Sequence, residues 1–327
     1  MKFYFLATFL ILAISTYGKV VGFYIGRVPY VVIADFQLIK DVLKNEATAS
    51  RPKLAPFQDL RPGGGVKGVL DKENVDWVPG IIFSRGQAWV DQRRFTLRVL
   101  RDFGFGKSSM EDTLLDEVDK LCEELTKVVG KEMNISRKMN ISILNALWAL
   151  LTGEKLPLND PKLLDIVEKI NNFLSKSSDP SAAVASLLPN PKMIRWPILK
   201  PFRYAMGISL EPLANALKSV GDLAESQIEK HKASVNEDDI NDFIDAYLVE
   251  MKKQENNSQS SFNRHRGHYY LVNVLIDLFF AGMETTSSTL TWTFLLLLHH
   301  PEIKRKVQEE IDMVNTKPND INVMNFY

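Results

Sequence analysis

The stretch Tyr269–Pro301, YYLVNVLIDLFFAGMETTSSTLTWTFLLLLHHP, decides the fold. It has no proline before Pro301 and a single glycine, Gly282. As a helix rising 1.5 Å per residue it would run on the order of 45–50 Å. That is too long for the skin of a small domain, so the helix belongs in the interior. It is apolar nearly all round, which marks a buried helix. A membrane span is the rival reading. Asp277 and Glu284 leave no uncharged run long enough to be read as a span, and each would cost roughly 2.5–3.5 kcal/mol at a bilayer centre. The stretch therefore reads as a soluble core helix.

Its middle breaks the apolar surface with Ala281, Gly282, Glu284, Thr285 and Thr286. Gly282 costs about 1 kcal/mol of helix propensity against alanine. Residues 281, 284, 285 and 288 share a face by the i, i+3, i+4 rule. A notch of small residues there admits something flat and bulky, and the hydroxyl and carboxylate beside it can pass protons. The same residues also suit a plain helix crossing with a satisfied threonine and glutamate. Spacing alone leaves both readings open.

AGMETTSSTLTW followed by HHPEIKRKVQEEID resembles the long central helix and the next helix of the cytochrome P-450 family, the haem-thiolate monooxygenases. Ala281, Gly282, Glu284, Thr285 and Thr286 match the family pattern small-Gly-x-acid-Thr-Thr/Ser without a gap. A second match is G-x-x-W-x-x-x-R-R-F, given by Gly86, Trp89, Arg93, Arg94 and Phe95, with LRDFGFGK after it. Trp89 and Arg93 lie four apart on one helix face. An indole N–H and a guanidinium there suit a carboxylate, because arginine makes strong charge-assisted hydrogen bonds. The bland alternative is a core tryptophan beside a surface arginine.

The resemblance implies a mainly α fold with a small β-sheet, built around the long central helix, and haem as cofactor. It assigns Glu284 and Thr285 to proton delivery during catalysis. It assigns Trp89, Arg93 and Arg51 to haem propionates, Ala281 and Gly282 to the haem face, and Ile82, Phe83 and Phe280 to the substrate side. For Arg51 in ASRPK, a solvated loop arginine is an equal alternative. The implied partners are an NADPH-dependent reductase, a lipophilic small-molecule substrate and a membrane surface. The implied location is the cytosolic face of the endoplasmic reticulum membrane.

The rest of the chain sets the frame. With 45% hydrophobic and 24% charged residues it can bury a sizeable core. A net charge of zero offers no basic field for nucleic acid. One cysteine, Cys122, excludes an intramolecular disulfide. Cys122 lies on a helical stretch beside Glu123 and Glu124, which oppose a reactive thiolate, so it reads as a buried small hydrophobe.

Residues 1–16 form an apolar segment behind Lys2, too short to span a bilayer comfortably. A signal-like segment has this length, whereas the resemblance implies a shortened membrane anchor, with residues 17–327 as the N-terminal two-thirds of a cytochrome P-450 domain. Val20–Ile25 and Tyr30–Ile33 read as strands, and Asp35 as the cap of a helix FQLIKDVLKN. Gly63, Gly65 and Gly68 spell G-x-G-x-x-G, but no strand precedes them and no helix follows, so they read as a flexible loop. Ser175–Tyr204, broken by five prolines, is an apolar, basic-edged stretch. That chemistry is compatible with an interface; the resemblance implies a lid that dips into the membrane surface, and a mobile core loop is the alternative. Asn134-Ile135-Ser136 and Asn140-Ile141-Ser142 are glycosylation sequons, silent on the cytosolic side. His265 and His268 on a polar loop do not make a metal site.

The family holds its haem iron by a cysteine in a Phe-x-x-Gly-x-Arg-x-Cys segment. No such run occurs in these 327 residues. Glu302 and Arg305 spell the family's Glu-x-x-Arg, but directly after HHP, where the family has a different helix. The expectation is an incomplete fold: a haem monooxygenase by resemblance that is not catalytically competent as this chain alone. The alternative is a non-enzymatic, membrane-associated helical protein that binds lipids or related monooxygenases.

Overall fold

The computed structural model describes residues 2–25, 28–51, 61–62, 78–107, 110–156, 160–177 and 211–315. Helix α1 (Lys2–Tyr17) leads into strands β1 (Val20–Ile25) and β2 (Val28–Ile33). The strands form an antiparallel hairpin with Val20 opposite Ile33. Their β-branched and aromatic residues suit the pleat, and Phe23 stacks on Tyr30 with ring centroids 5.7 Å apart. Next come α2 (Phe36–Lys44) and a 3-10 turn (Glu46–Thr48). The helices that follow are α3 (Gly86–Asp102), α4 (Glu111–Thr126), α5 (Ile135–Thr152) and α6 (Pro161–Ser177). After these come α7 (Glu211–Ser234), α8 (Phe243–Lys253), α9 (Arg264–His299) and α10 (Pro301–Asn315). Among the described residues the architecture is mainly α with one small sheet, as the resemblance implies.

Local chemistry sets the helix ends. Asp35 Oδ1 accepts from the Gln37 and Leu38 amides at 3.0 and 3.1 Å, capping α2. Asn134 caps α5 by accepting from the Arg137 amide at 3.2 Å, and Gly153 ends that helix in the left-handed conformation at φ 66°. The central helix α9 starts at Arg264, five residues ahead of the expected Tyr269. Its polar first turn is held from outside, since Arg264 pairs with Glu255 at 3.0 Å. The second strand likewise begins two residues early, at Val28.

The chain divides into two compact units whose boundary falls inside α3, α6, α7 and α9. The first comprises residues 1–93, 168–226 and 254–276. Its core includes Ile170 of α6, Ala216, Val220 and Ala224 of α7, and Tyr270, Leu271, Val274 and Leu275 of α9. Gly221 lets Pro62 and Ile276 come close, 3.4 and 3.7 Å from where its β-carbon would be.

The second unit comprises residues 94–167, 227–253 and 277–327. Here α4 and α8 pack on α5. Leu144, Trp148 and Leu151 of α5, Phe243, Ile244 and Tyr247 of α8, and Phe279 and Met283 of α9 are buried. Phe95 stands edge-on to Tyr247 at 5.3 Å.

The central helix is buried along only part of its length. Tyr270–Ile276 are buried, but Trp292 is 63% and Leu298 71% exposed. An all-round apolar pattern sets the capacity for burial, and burial itself needs a neighbour. No helix among the described residues is long and apolar enough to cross a membrane. Gly63, Gly65 and Gly68 lie outside the described residues, as does Ser175–Tyr204 beyond the end of α6.

Candidate functional site

The acid–hydroxyl cluster on α9 belongs to the second unit. Ala281 and Thr285 are exposed, while Phe280, Gly282, Glu284 and Ser288 are half-buried. Thr285 Oγ1 donates to the Ala281 carbonyl at 2.7 Å. Thr289 and Thr293 repeat this bond to Thr285 and Thr289 at 2.8 and 2.9 Å, making a ladder of hydroxyls up one side of the helix. A hydroxyl that donates to its own helix keeps its oxygen lone pairs as acceptors. Glu284 Oε1 accepts from Ser288 Oγ at 2.9 Å. The carboxylate is thus held by the residue one turn on, and not by Thr285.

Gly282 has a separate task. A β-carbon at this position would collide with Leu147 Cδ2 of α5. For the glycine itself, the helix-crossing alternative describes the structure. The small residue left on the exposed face is Ala281.

In the first unit, α3 carries Trp89 and Arg93. The Arg93 guanidinium lies 5.7 Å from the centre of the Trp89 ring, a cation–π contact. Trp89 is half-buried and Arg93 exposed. No carboxylate among the described residues pairs with Arg93. Between them Gln92 is buried and donates to Ser261 Oγ at 3.0 Å, which fixes the inner face of this turn.

Arg51 is exposed and, among the described residues, reaches only the Ala49 carbonyl, at 3.3 Å. Ile82 and Phe83 are half-buried. The Arg61 guanidinium sits 5.1 Å from the Phe83 ring centre, and its Nη1 donates to the Pro79 carbonyl at 3.2 Å. Arg61 is a buried cation that nothing in its local sequence marked.

Other polar groups are accounted for structurally. His268 pairs with Glu225 at 3.0 Å. His231 Nε2 meets Asp242 Oδ2 at 2.7 Å. Two donors bound to one tetrahedral ion at 2.0–2.1 Å would stand about 3.3 Å apart, so that contact is a hydrogen bond. Cys122 is exposed, a correction to the buried role expected from its neighbours. It shares the exposed face of α4 with Leu115, Val118, Asp119 and Thr126, while Glu117 is the buried residue of this helix. Asn134 is exposed, whereas Asn140 is 1% exposed.

The family model Cytochrome P450 matches residues 8–324. Cytochrome P450 2B19 of Mus musculus is 33% identical over 298 residues, 91% of this chain and 55% of that protein. Cytochrome P450 2B4 of Oryctolagus cuniculus is 32% identical over 300 residues, 91% of this chain and 55% of the relative. Cytochrome P450 2J2 of Homo sapiens is 32% identical over 305 residues, with 93% and 55% covered. The chain spans about half the length of the curated relatives it matches.

Proposed function

We infer the function from the family: the chain belongs to the cytochrome P450 family, and we propose that it provides the central-helix and propionate-binding parts of a haem-dependent monooxygenase. The cofactor of the family is haem. The observation that carries the reading is the unbroken Ala281-Gly282-x-Glu284-Thr285 pattern, with Ala281 and Thr285 exposed on the central helix.

The residues present fit that cofactor. Arg93 is an exposed cation over an indole, with no carboxylate partner among the described residues, and suits a propionate. Ala281 puts a small apolar group beside a hydroxyl on a helix face. When bound, haem supplies the oxygen activation that inserts an oxygen atom into a substrate. Trp89 and Arg93 bind and orient a propionate, with Arg51 as a second cation. Gly282 sets the level of the central helix through its crossing with α5, and Ala281 leaves room beside it. Thr285 holds a proton at Oγ1 and Glu284 exchanges protons with solvent. Ser288 keeps the Glu284 carboxylate in place. Phe280, Ile82 and Phe83 give a substrate of lipophilic character apolar surface. Electrons come from an NADPH-dependent reductase. The apolar helix α1 associates with a membrane surface at the cytosolic face of the endoplasmic reticulum.

The single thiol, Cys122, is exposed on α4 and followed by Glu123 and Glu124. It is not among the residues that the family pattern assigns to haem, so on this reading residues 1–327 by themselves do not complete the catalyst. The test is haem titration of this chain and of the same chain extended by a cysteine-bearing segment of a full-length relative. The expected result is weak binding without a thiolate-type reduced carbon-monoxide band for the first, and that band for the second. In the extended protein, Thr285→Ala should let oxygen consumption run without product. A thiolate band from residues 1–327 alone would overturn the reading.

A further inference from the structure

We propose that the buried contact between His231 and Asp242 holds one proton and acts as a pH-sensitive lock at the junction of α5, α7 and α8 in the second unit. The lock is closed while the proton is present and opens when it leaves.

The geometry requires the proton. His231 Nδ1 lies 2.7 Å from the Gln227 carbonyl oxygen. A carbonyl can only accept, so Nδ1 carries a hydrogen. His231 Nε2 lies 2.7 Å from Asp242 Oδ2, and this contact needs a hydrogen of its own. It is either an imidazolium facing a carboxylate or an imidazole facing a carboxylic acid. Both arrangements hold one proton more than a neutral imidazole beside a carboxylate. His231, Asp242 and Asp245 are all buried. Without the proton, a nitrogen lone pair and a carboxylate would face each other away from water, which is costly.

The same carboxylate holds other parts together. Asp242 Oδ1 accepts the Asp245 amide at 2.9 Å, which caps the start of α8. Asp245 Oδ2 accepts the Asn241 amide at 3.3 Å. On the α5 side, a β-carbon on Gly153 would stand 3.2 Å from Asp242 Oδ2, so the end of α5 abuts the contact. The loss of one proton therefore acts on the end of α5, the last turns of α7 and the first turn of α8.

The charged neighbours favour the closed state. Asp242 and Asp245 face His231 from α8, and Glu154 acts on it from just beyond α5. Glu154 accepts from Gln227 Nε2 at 3.2 Å and pairs with Lys230 at 3.0 Å, so one of the three carboxylates is partly neutralised. Burial opposes the imidazolium, but the Gln227 carbonyl and the Asp242 and Asp245 carboxylates outweigh it and raise the His231 pKa. Burial also raises the Asp242 carboxyl, against the Asp245 amide and His231. Both groups hold protons to higher pH folded than unfolded. Their contribution is full below the unfolded values, near 4 for the carboxyl and 6.5 for the imidazole. It is lost as pH rises through the folded values. The His231 step is the one that opens the lock.

The test follows amide hydrogen exchange at the start of α8, at Asp245 and Ala246, in the 327-residue chain between pH 6 and 9. Rates are corrected for the intrinsic pH dependence of exchange. Local opening should rise on the order of tenfold for each pKa unit by which folding raises His231. His231→Gln keeps a donor toward Asp242 but cannot titrate, and should flatten that rise. If His231→Gln does not fold, the imidazole C2–H titration of the unaltered chain decides alone. A midpoint above 6.5 supports the lock, and one at or below 6.5 overturns it. An equal rise in His231→Gln would overturn it as well. So would added zinc(II) strengthening protection, since a metal would then be taking the place of the proton.

Discussion

Leu147 Cδ2 occupies the space that a β-carbon on residue 282 would need. Two effects compete when Gly282 is replaced. Gly282→Ala gains about 1 kcal/mol of helix propensity and loses about 1–3 kcal/mol to overpacking, leaving a neutral to modestly destabilised protein. Gly282→Val adds more bulk and should lose about 2 kcal/mol or more. In a Leu147→Ala background the space is open, and Gly282→Ala should become stabilising. Urea midpoints for the double-mutant cycle check this, and simple additivity would show that the two residues are not coupled.

Thr285 is exposed and, among the described residues, bonds only within its own helix. Thr285→Ala should therefore leave stability within about 0.5 kcal/mol of the unaltered chain. Trp148 is 0% exposed and stands edge-on to Phe279 at 5.7 Å, so Trp148→Ala should cost about 3–5 kcal/mol. Thermal melts of both variants separate a chemical role at Thr285 from a structural one. A large loss from Thr285→Ala would refute the assignment of Thr285 to chemistry alone.

Acid should loosen the contact between α4 and α5. Lys120 and Lys155 hold the Asp116 carboxyl down to about 2, and Lys127 and Lys138 hold Glu124 down to about 2. Carboxylates with lowered folded pKa contribute stability above their ordinary values, and this is lost as pH falls from about 4 toward 2. All these groups are close to solvent, so salt should blunt the effect. Circular dichroism melts at pH 5 and 2.5 should differ less for Lys138→Ala and Lys155→Ala. An undiminished difference in both would show that the acid response originates elsewhere.

The end of α9 and much of α10 present apolar side chains to solvent, including Trp292, Leu296, Leu298, Ile303 and Ile311. Exposed apolar surface of this kind drives association. The chain should bind a hydrophobic dye and sediment faster as concentration rises. Replacing Leu296, Ile303 and Ile311 by lysine should reduce both and leave the melting midpoint unchanged, because none of the three is buried. Unchanged dye binding in that variant would count against this surface.

Periodicity and end signals made the elements readable. The Asp35 cap, the hairpin and the long apolar run all sit where residue type and spacing indicate. Burial along α9 was not readable, because Trp292 and Leu298 are as apolar as Leu271 and differ only in what lies opposite. Gly282 was legible as an oddity, but Leu147, more than a hundred residues earlier, was not legible as its cause. The acid–hydroxyl pattern on α9 stood out because polar residues interrupt a greasy helix. His231 and Asp242 did not stand out, because a lone histidine and an acidic turn eleven residues later carry no shared spacing rule. Arg61 was hidden for the same reason, since its burial depends on Phe83 and Pro79 folding back over it.

Cys122 is both solvent-facing and the single thiol in the chain. Air oxidation can therefore join two copies and go no further, because each copy offers one sulfur and a disulfide consumes it. An ageing sample should show one reducible species of twice the monomer mass and no higher ladder. The same sulfur gives a maleimide reagent a defined stoichiometry of one. A fluorophore attached there would report on α4 without competing labels elsewhere on the molecule.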